Sequence, residues 1–251
     1  MATTPVPAPE SAPQAAISPI GRIVGMFFSP KATFEDIVRK PSWILPTLII
    51  LVLATAGVVA LNHHFDWHNY VLQQMEKSPQ AANLSADQKE QQAATAAKFS
   101  PIFAYAFGIP IPLLMMLLIA LVLWGAYNLM AGAGANFPVS WSIVTHAFVP
   151  ASVVGTILFI TVLFLKPIGA FDLDNPIATN AAIFLPEDSA KWLVGLCKNI
   201  DILELWKLIL LSIGFAAVNP RKLKGAKSFT IVLTVFLVYV ALRTGIAFIF
   251  S

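Results

Sequence analysis

Long apolar stretches alternate with short polar segments along this chain, and five of the stretches are long enough to cross a bilayer: 42–61, 102–129, 143–165, 202–218 and 229–250. A helix rises about 1.5 Å per residue and the hydrocarbon core is about 30 Å thick, so roughly 20 apolar residues make one crossing. The stretches are unbroken series such as Ile49-Ile50-Leu51-Val52-Leu53, with no period-two alternation. That pattern predicts helices and not a barrel. The fourth stretch is the shortest and carries Glu204 and Lys207. The expected fold is an all-α polytopic bundle of five transmembrane helices, preceded by an amphipathic helical segment.

The segments between the spans have their own patterns. Residues 1–19 are dominated by Pro, Ala, Ser and Thr without an apolar period, which predicts a disordered cytoplasmic tail. Over 20–41, Ile20, Ile23, Val24, Phe27 and Phe28 fall at helical spacing, as in a helix lying on the inner leaflet. Ser29 then stands as the cap of a second short helix that opens on Pro30, places Phe34 and Ile37 on one face, and is stopped by Pro41. Ser85-x-x-Gln88 reads as a capping box opening a polar helix that runs to Lys98. Gly108, Pro110 and Pro112 predict a kink in the second span. Trp192, Leu193 and Leu196 mark one side of an interfacial helix after Pro186, and 131–138 reads as a helix stop followed by a turn.

Composition agrees with the pattern. Apolar residues make up 57% of the chain and charged residues 12%, against about 25% charged in an ordinary soluble domain, so lipid must cover much of the surface. Arg22 is the first basic residue and no apolar core precedes it, so no cleavable signal is expected. Cys197 is the sole cysteine, which rules out an intramolecular disulfide. With a cytoplasmic N-terminus, Arg22, Lys31, Arg39, Lys40, Arg221, Lys222, Lys224 and Lys227 fall on the inner side, and the bias is sharpest next to the spans. An odd number of spans puts the C-terminus outside, in a cell membrane. The run Arg221, Lys222, Lys224, Lys227 reads as a topology determinant and as a contact for anionic lipid headgroups.

Three groups of residues carry candidate chemistry. His63, His64 and His68 lie just beyond the first span; if the helix continues past Leu61, His64 and His68 share a face and can hold zinc, copper or nickel. The competing reading is an interfacial segment at headgroup level. Glu204, Lys207 and Arg243 form an intramembrane charge network: Glu204 and Lys207 are three apart on one face, and Glu204 is placed to pair with Arg243. Snorkelling of the basic side chains is the alternative. There is no His-Glu-x-x-His sequence, no nucleophile elbow and no cysteine partner, so no enzyme and no cofactor are expected.

The order Phe28-Ser29-Pro30, Thr33-Phe34, Ile37, Pro41-Ser42-Trp43 and Pro46 at the mouth of the first span, with Thr145-His146-Ala147 and Pro150 in the third, resembles the bacterial branch of the Ypt-interacting protein (Yip) family. The resemblance covers roughly residues 20–250. It implies five helices with a cytoplasmic N-terminus. Eukaryotic relatives associate with Rab-type GTPases and with one another in vesicle traffic, and carry an Asp-Leu-Tyr-Gly-Pro-like motif before the first span. That motif is missing here, so no GTPase-contact residue carries over. The resemblance therefore implies a non-enzymatic membrane adaptor with membrane-protein partners or a homo-oligomer in the bilayer, and no nucleic acid. The rival readings are a channel or transporter built on the kinked second span and the intramembrane Glu204, Lys207 and Arg243, and a metal-binding protein built on the histidines.

Overall fold

A computed structural model describes residues 16–186 and 188–249 of the chain. Most of the stretch expected to be a disordered tail, residues 1–15, lies outside the described residues, as do Phe250 and Ser251 at the end of the fifth expected span. Apart from an isolated bridge between Asn180 and Asp201, the regular structure of the described residues is helical.

A helical hairpin comes first. Helix α1 (Pro19–Phe28) starts where Ser18 Oγ accepts from the Gly21 N–H at 3.0 Å, and α2 (Pro30–Arg39) starts on Pro30, whose missing N–H costs nothing at a first helical position. Ser29 holds the cap position of α2, but its side chain makes no capping bond. Its carbonyl accepts from the Thr33 amide at 3.2 Å and the Thr33 hydroxyl at 2.9 Å instead. The first expected span is α3 (Ile44–His64).

The second expected span is part of a longer rod. Helix α5 (Ala86–Gly108) opens on the Ser85–Gln88 capping box, with both reciprocal bonds present, and runs through Pro101 without a break. It passes at Ile109, whose backbone stays in the right-handed helical region, directly into α6 (Pro110–Ala131), and the helix is interrupted at that one residue. The polar first half of α5 is covered by α4 (Trp67–Glu76), giving a helical hairpin at the far end of the bundle. Gly132, at φ 55°, ends α6 in the left-handed region that suits glycine.

Helix α7 (Phe137–Leu165) is the centre of the molecule. Its first half is buried nearly all round, from Val139 to Ala151, because α1, α2, α3, α6 and α9 (Ile202–Val218) enclose it. Phe34 and Ile37 of α2, both fully buried, join Ile143, Ala147, Leu210 and Phe215 in that core. Gly214 allows the approach: a Cβ there would come within 2.5 Å of Ile143 and 2.9 Å of Phe34. A second, smaller core of Leu61, Leu163 and Phe171 closes the opposite end. The short α8 (Lys191–Lys198) packs on α10 (Gly225–Ile249).

By length and composition, four helical elements among the described residues can cross a bilayer: Ile44–His64, the rod Ala86–Ala131, Phe137–Leu165 and Gly225–Ile246. Helix α9, with 17 residues, is shorter. The N-terminal segment has two distinct sides. It is docked on α7 and α9, with Met26 and Arg22 buried, while Ile20, Val24 and Phe28 are exposed on the outer side of α1.

Candidate functional site

The tightest polar cluster ties the α1–α2 hairpin to the start of α3. Arg22 and Asp36 form an ion pair with both side chains 4% exposed: Nη2 lies 2.7 Å and Nε 2.8 Å from the same carboxylate oxygen of Asp36. The remaining guanidinium nitrogen donates to the Lys40 carbonyl at 2.9 Å and to Ser42 Oγ at 2.6 Å. One arginine thus joins α1, α2 and the connection into α3. A buried charge needs such company, since an unpaired one costs several kcal/mol. Arg39, at 3.7 Å from the other oxygen of Asp36, is exposed and contributes little.

Around this clamp lie the family-type residues. Phe34 is buried in the core, Pro46 is buried in the first turns of α3, and Pro41 and Trp43 are exposed in the short passage between α2 and α3. On α7, His146 is buried, with its Nδ1–H donating to the Ser142 carbonyl at 2.8 Å. Trp206 of α9 meets Phe27 edge-on at 5.9 Å. The outward stripe of α1, Ile20, Val24 and Phe28, repeats every four residues and is left uncovered by the described residues. The hairpin is therefore fixed on its inner side, and α1 is apolar on its outer side, while the exposed residues of α2 include Lys31, Glu35 and Arg39.

The histidines are not brought together. Helix α3 stops at His64, and Asp66 then caps α4 by accepting from the Asn69 N–H at 3.0 Å, so His64 and His68 fall on different helices. His64 stacks on Phe164 with ring centres 4.7 Å apart, His68 Nε2 lies 3.0 Å from Glu90, and His63 is exposed. Among the described residues no group of three or more His, Cys, Asp or Glu side chains is placed to hold a metal ion. Nearby, Tyr70 of α4 has its phenol pushed above the ordinary value of 10.0 by burial first and by the charges of Asp174 and Asp172 next.

The charge network divides. Glu204 and Lys207 pair with each other, as their spacing on one face predicts, and the ammonium also lies 5.0 Å from the centre of the Phe148 ring. Arg243 does not reach Glu204, contrary to the pairing expected from sequence. It donates instead to Asn199 Oδ1 at 3.4 Å and to the Tyr239 hydroxyl at 3.5 Å. The reason is the chain between α8 and α9, which places Asn199 at the end of α8, a helix packed on α10. A cavity of about 590 Å³ lies beside Glu204, walled by Ile183, Phe184, Leu205, Leu208, Leu233 and Phe236.

The basic residues Arg221, Lys222, Lys224 and Lys227 are exposed on the turn from α9 to α10 and at the start of α10. Lys222 Nζ donates to the Gly132 carbonyl at 3.0 Å, and Asn219 Nδ2 approaches the Ala133 carbonyl at 3.5 Å. This turn is thereby pinned to the one between α6 and α7.

Sequence reasoning missed two buried polar links, the Arg22–Asp36 clamp and a relay across three helices. In the relay the Tyr127 hydroxyl lies 2.8 Å from the Ser228 carbonyl and 2.7 Å from its Oγ, while Ser228 Oγ donates to the Ser212 carbonyl at 2.6 Å. The only signal in the sequence is polar residues inside otherwise apolar helices, since partners so distant along the chain cannot be paired from spacing.

Comparison with curated proteins and with solved structures finds no match in either. A family model described as the Yip1 domain matches residues 24–243, from the middle of α1 to Arg243. The match takes in the clamp's Asp36, the core helix α7 and both ends of the bundle, and the chain belongs to the Yip1 domain family of integral membrane proteins.

Proposed function

We propose that this protein is a non-catalytic membrane adaptor that presents the outer face of its α1–α2 hairpin to another membrane protein or to a second copy of itself. The observation that carries the reading is the two-sided construction of the hairpin. Arg22, Met26, Asp36, Phe34 and Ile37 are buried against the bundle, and Ile20, Val24 and Phe28 remain exposed on a helix held rigid from behind. A preorganised apolar stripe binds with less entropic loss than a mobile tail does. In this reading α9 crosses with the four longer elements, giving five spans of a bacterial inner membrane, an N-terminus in the cytoplasm and a C-terminus outside. No GTPase contact is part of the proposal.

Site-specific photocrosslinkers at Ile20, Val24 and Phe28, introduced one at a time into the full chain in native membranes, test it. A discrete protein adduct from these positions, and none from a crosslinker at exposed Leu118 of α6, is expected. Adducts to lipid alone would overturn the reading. The transporter alternative rests on Glu204 and Lys207 beside the cavity. Solute uptake by reconstituted vesicles that is lost in Glu204→Gln would replace the adaptor with a carrier.

A further inference from the structure

The turn joining α9 to α10 holds four cations within seven residues, Arg221 to Lys227, and no carboxylate answers them. After Glu204 the chain has no acidic residue through Ser251, and between Glu90 and Asp172 it has none either. Neither this turn nor the α6–α7 turn that it rests on therefore contains an acid, and among the described residues no ion pair involves Arg221, Lys222, Lys224 or Lys227.

The turn is also built. Lys222 is held on the Gly132 carbonyl, which the left-handed backbone of Gly132 turns outward at the end of α6. Leu223, between the cations, is buried in the main core, and the Lys222 amide is held by Asn219 Oδ1 at 3.3 Å. Arg221, Lys224 and Lys227 project from this anchored frame, all exposed, directly at the ends of apolar helices. Cations placed there stand at the level of lipid phosphates, where each contributes about 1 kcal/mol of attraction to an anionic surface.

We propose that Arg221, Lys224 and Lys227 form a binding surface for the headgroups of anionic phospholipids in the leaflet at this end of the bundle, with Lys222 acting as its anchor. A lipid supplies what these residues lack, an anion, together with acyl chains for the exposed apolar flanks of α10.

The test uses the full chain in detergent, with native mass spectrometry during titration by phosphatidylglycerol and, separately, phosphatidylcholine. The wild type is expected to retain phosphatidylglycerol in preference. The preference should fall about fivefold for each cation removed in R221Q, K224Q and K227Q and in their combination. Raising the salt to about 1 M, where the screening length is about 3 Å, should abolish it in the wild type without any substitution, which keeps the test open should the triple variant not fold. Equal retention of both lipids by the wild type, an undiminished preference in the variants, or a preference unchanged at high salt would each overturn the proposal. Displacement of the lipid by inorganic phosphate at about its own concentration would do so as well, since it would mark a site for free phosphate.

Discussion

Replacing Asp36 by Ala should release the N-terminal hairpin, and the size of the effect follows from what Arg22 keeps. The substitution removes two contacts, at 2.7 and 2.8 Å, and the only carboxylate among the described residues that pairs with the Arg22 guanidinium, which is 4% exposed. The Lys40 carbonyl and Ser42 Oγ remain, both neutral acceptors. Removing one partner of a buried pair costs about 3–5 kcal/mol, because the other charge stays desolvated. At about 2–4 °C per kcal/mol for a chain of this length, Tm should fall by about 6–20 °C. The double variant Arg22→Met, Asp36→Leu removes both charges into surroundings that already include Met26, Phe34 and Ile37. It should recover most of the loss, since apolar replacement of a buried pair is often neutral. Thermal unfolding of the purified protein in detergent measures the stability, and limited proteolysis between α1 and α3 reports the hairpin itself. A single variant within about 1 kcal/mol of the wild type, or a double variant no better than the single, would refute the reasoning.

Gly214→Val should lower stability by about 1–3 kcal/mol, since the new side chain would enter the space of Ile143 and Phe34; unchanged thermal unfolding would mean that α2 and α9 can part freely. Tyr127→Phe should cost about 1 kcal/mol, because Ser228 Oγ keeps the Ser212 carbonyl while the Ser228 carbonyl loses the phenol; a cost above about 3 kcal/mol would show that the relay acts as one unit. Glu204→Arg should not rescue the expression loss of Arg243→Glu, because Arg243 is bound to Asn199 and not to Glu204; a rescue would contradict that geometry. Tyr70 should titrate above 10.0 in absorbance at alkaline pH, and lower in Asp174→Asn. Its raised value means that neutral Tyr70 favours the fold below pH 10.0, a contribution lost as pH rises through the folded-state value; an unshifted phenol would contradict the partial burial of Tyr70 beside Asp172 and Asp174.

Features set by neighbours along the chain were legible in the sequence, and features set by helix packing were not. The Ser85–Gln88 capping box forms with both bonds, Pro30 opens α2, and the apolar runs become α3, α6, α7 and α10, because each depends on residues within a turn or on a continuous hydropathy signal. The break at Ile109 follows from Pro110 in the same way. The histidine face fails for a local reason of its own: α3 continues past Leu61 but ends at His64, and Asp66, a better cap than a helix interior residue, starts a new helix at Trp67. Pro101 lies within α5, which runs from the polar helix into the apolar span without a boundary. Arg22 and Asp36 are 14 residues apart on two helices, so their meeting depends on the reversal at Ser29 and on both helices docking against α7. Arg243 and Asn199 meet only through the docking of α8, which no charge count reveals.

The polar residues in the first half of α7 explain why so few bonds hold this end of the bundle together. Ser140, Ser142, Thr145 and His146 are all buried, yet each bonds to a carbonyl of its own helix: Asn136, Pro138, Trp141 and Ser142, at 3.2, 2.8, 3.0 and 2.8 Å. Such internal bonding satisfies the side chains without a partner helix, so α7 can be enclosed on every side by apolar contact alone. The directional links between helices at this end include the Arg22–Asp36–Ser42 clamp, the Tyr127–Ser228–Ser212 relay and the Lys222–Gly132 pin. The relay and the pin join α6, α9 and α10 to one another, while the clamp lies wholly within residues 22–42. The hairpin is thus a self-braced unit, held to α7 and α9 by the packing of Met26, Phe34 and Ile37. A partner that covers Ile20, Val24 and Phe28 would meet a surface already set in its geometry, and loss of Asp36 should weaken that partner's grip before it disturbs the rest of the bundle.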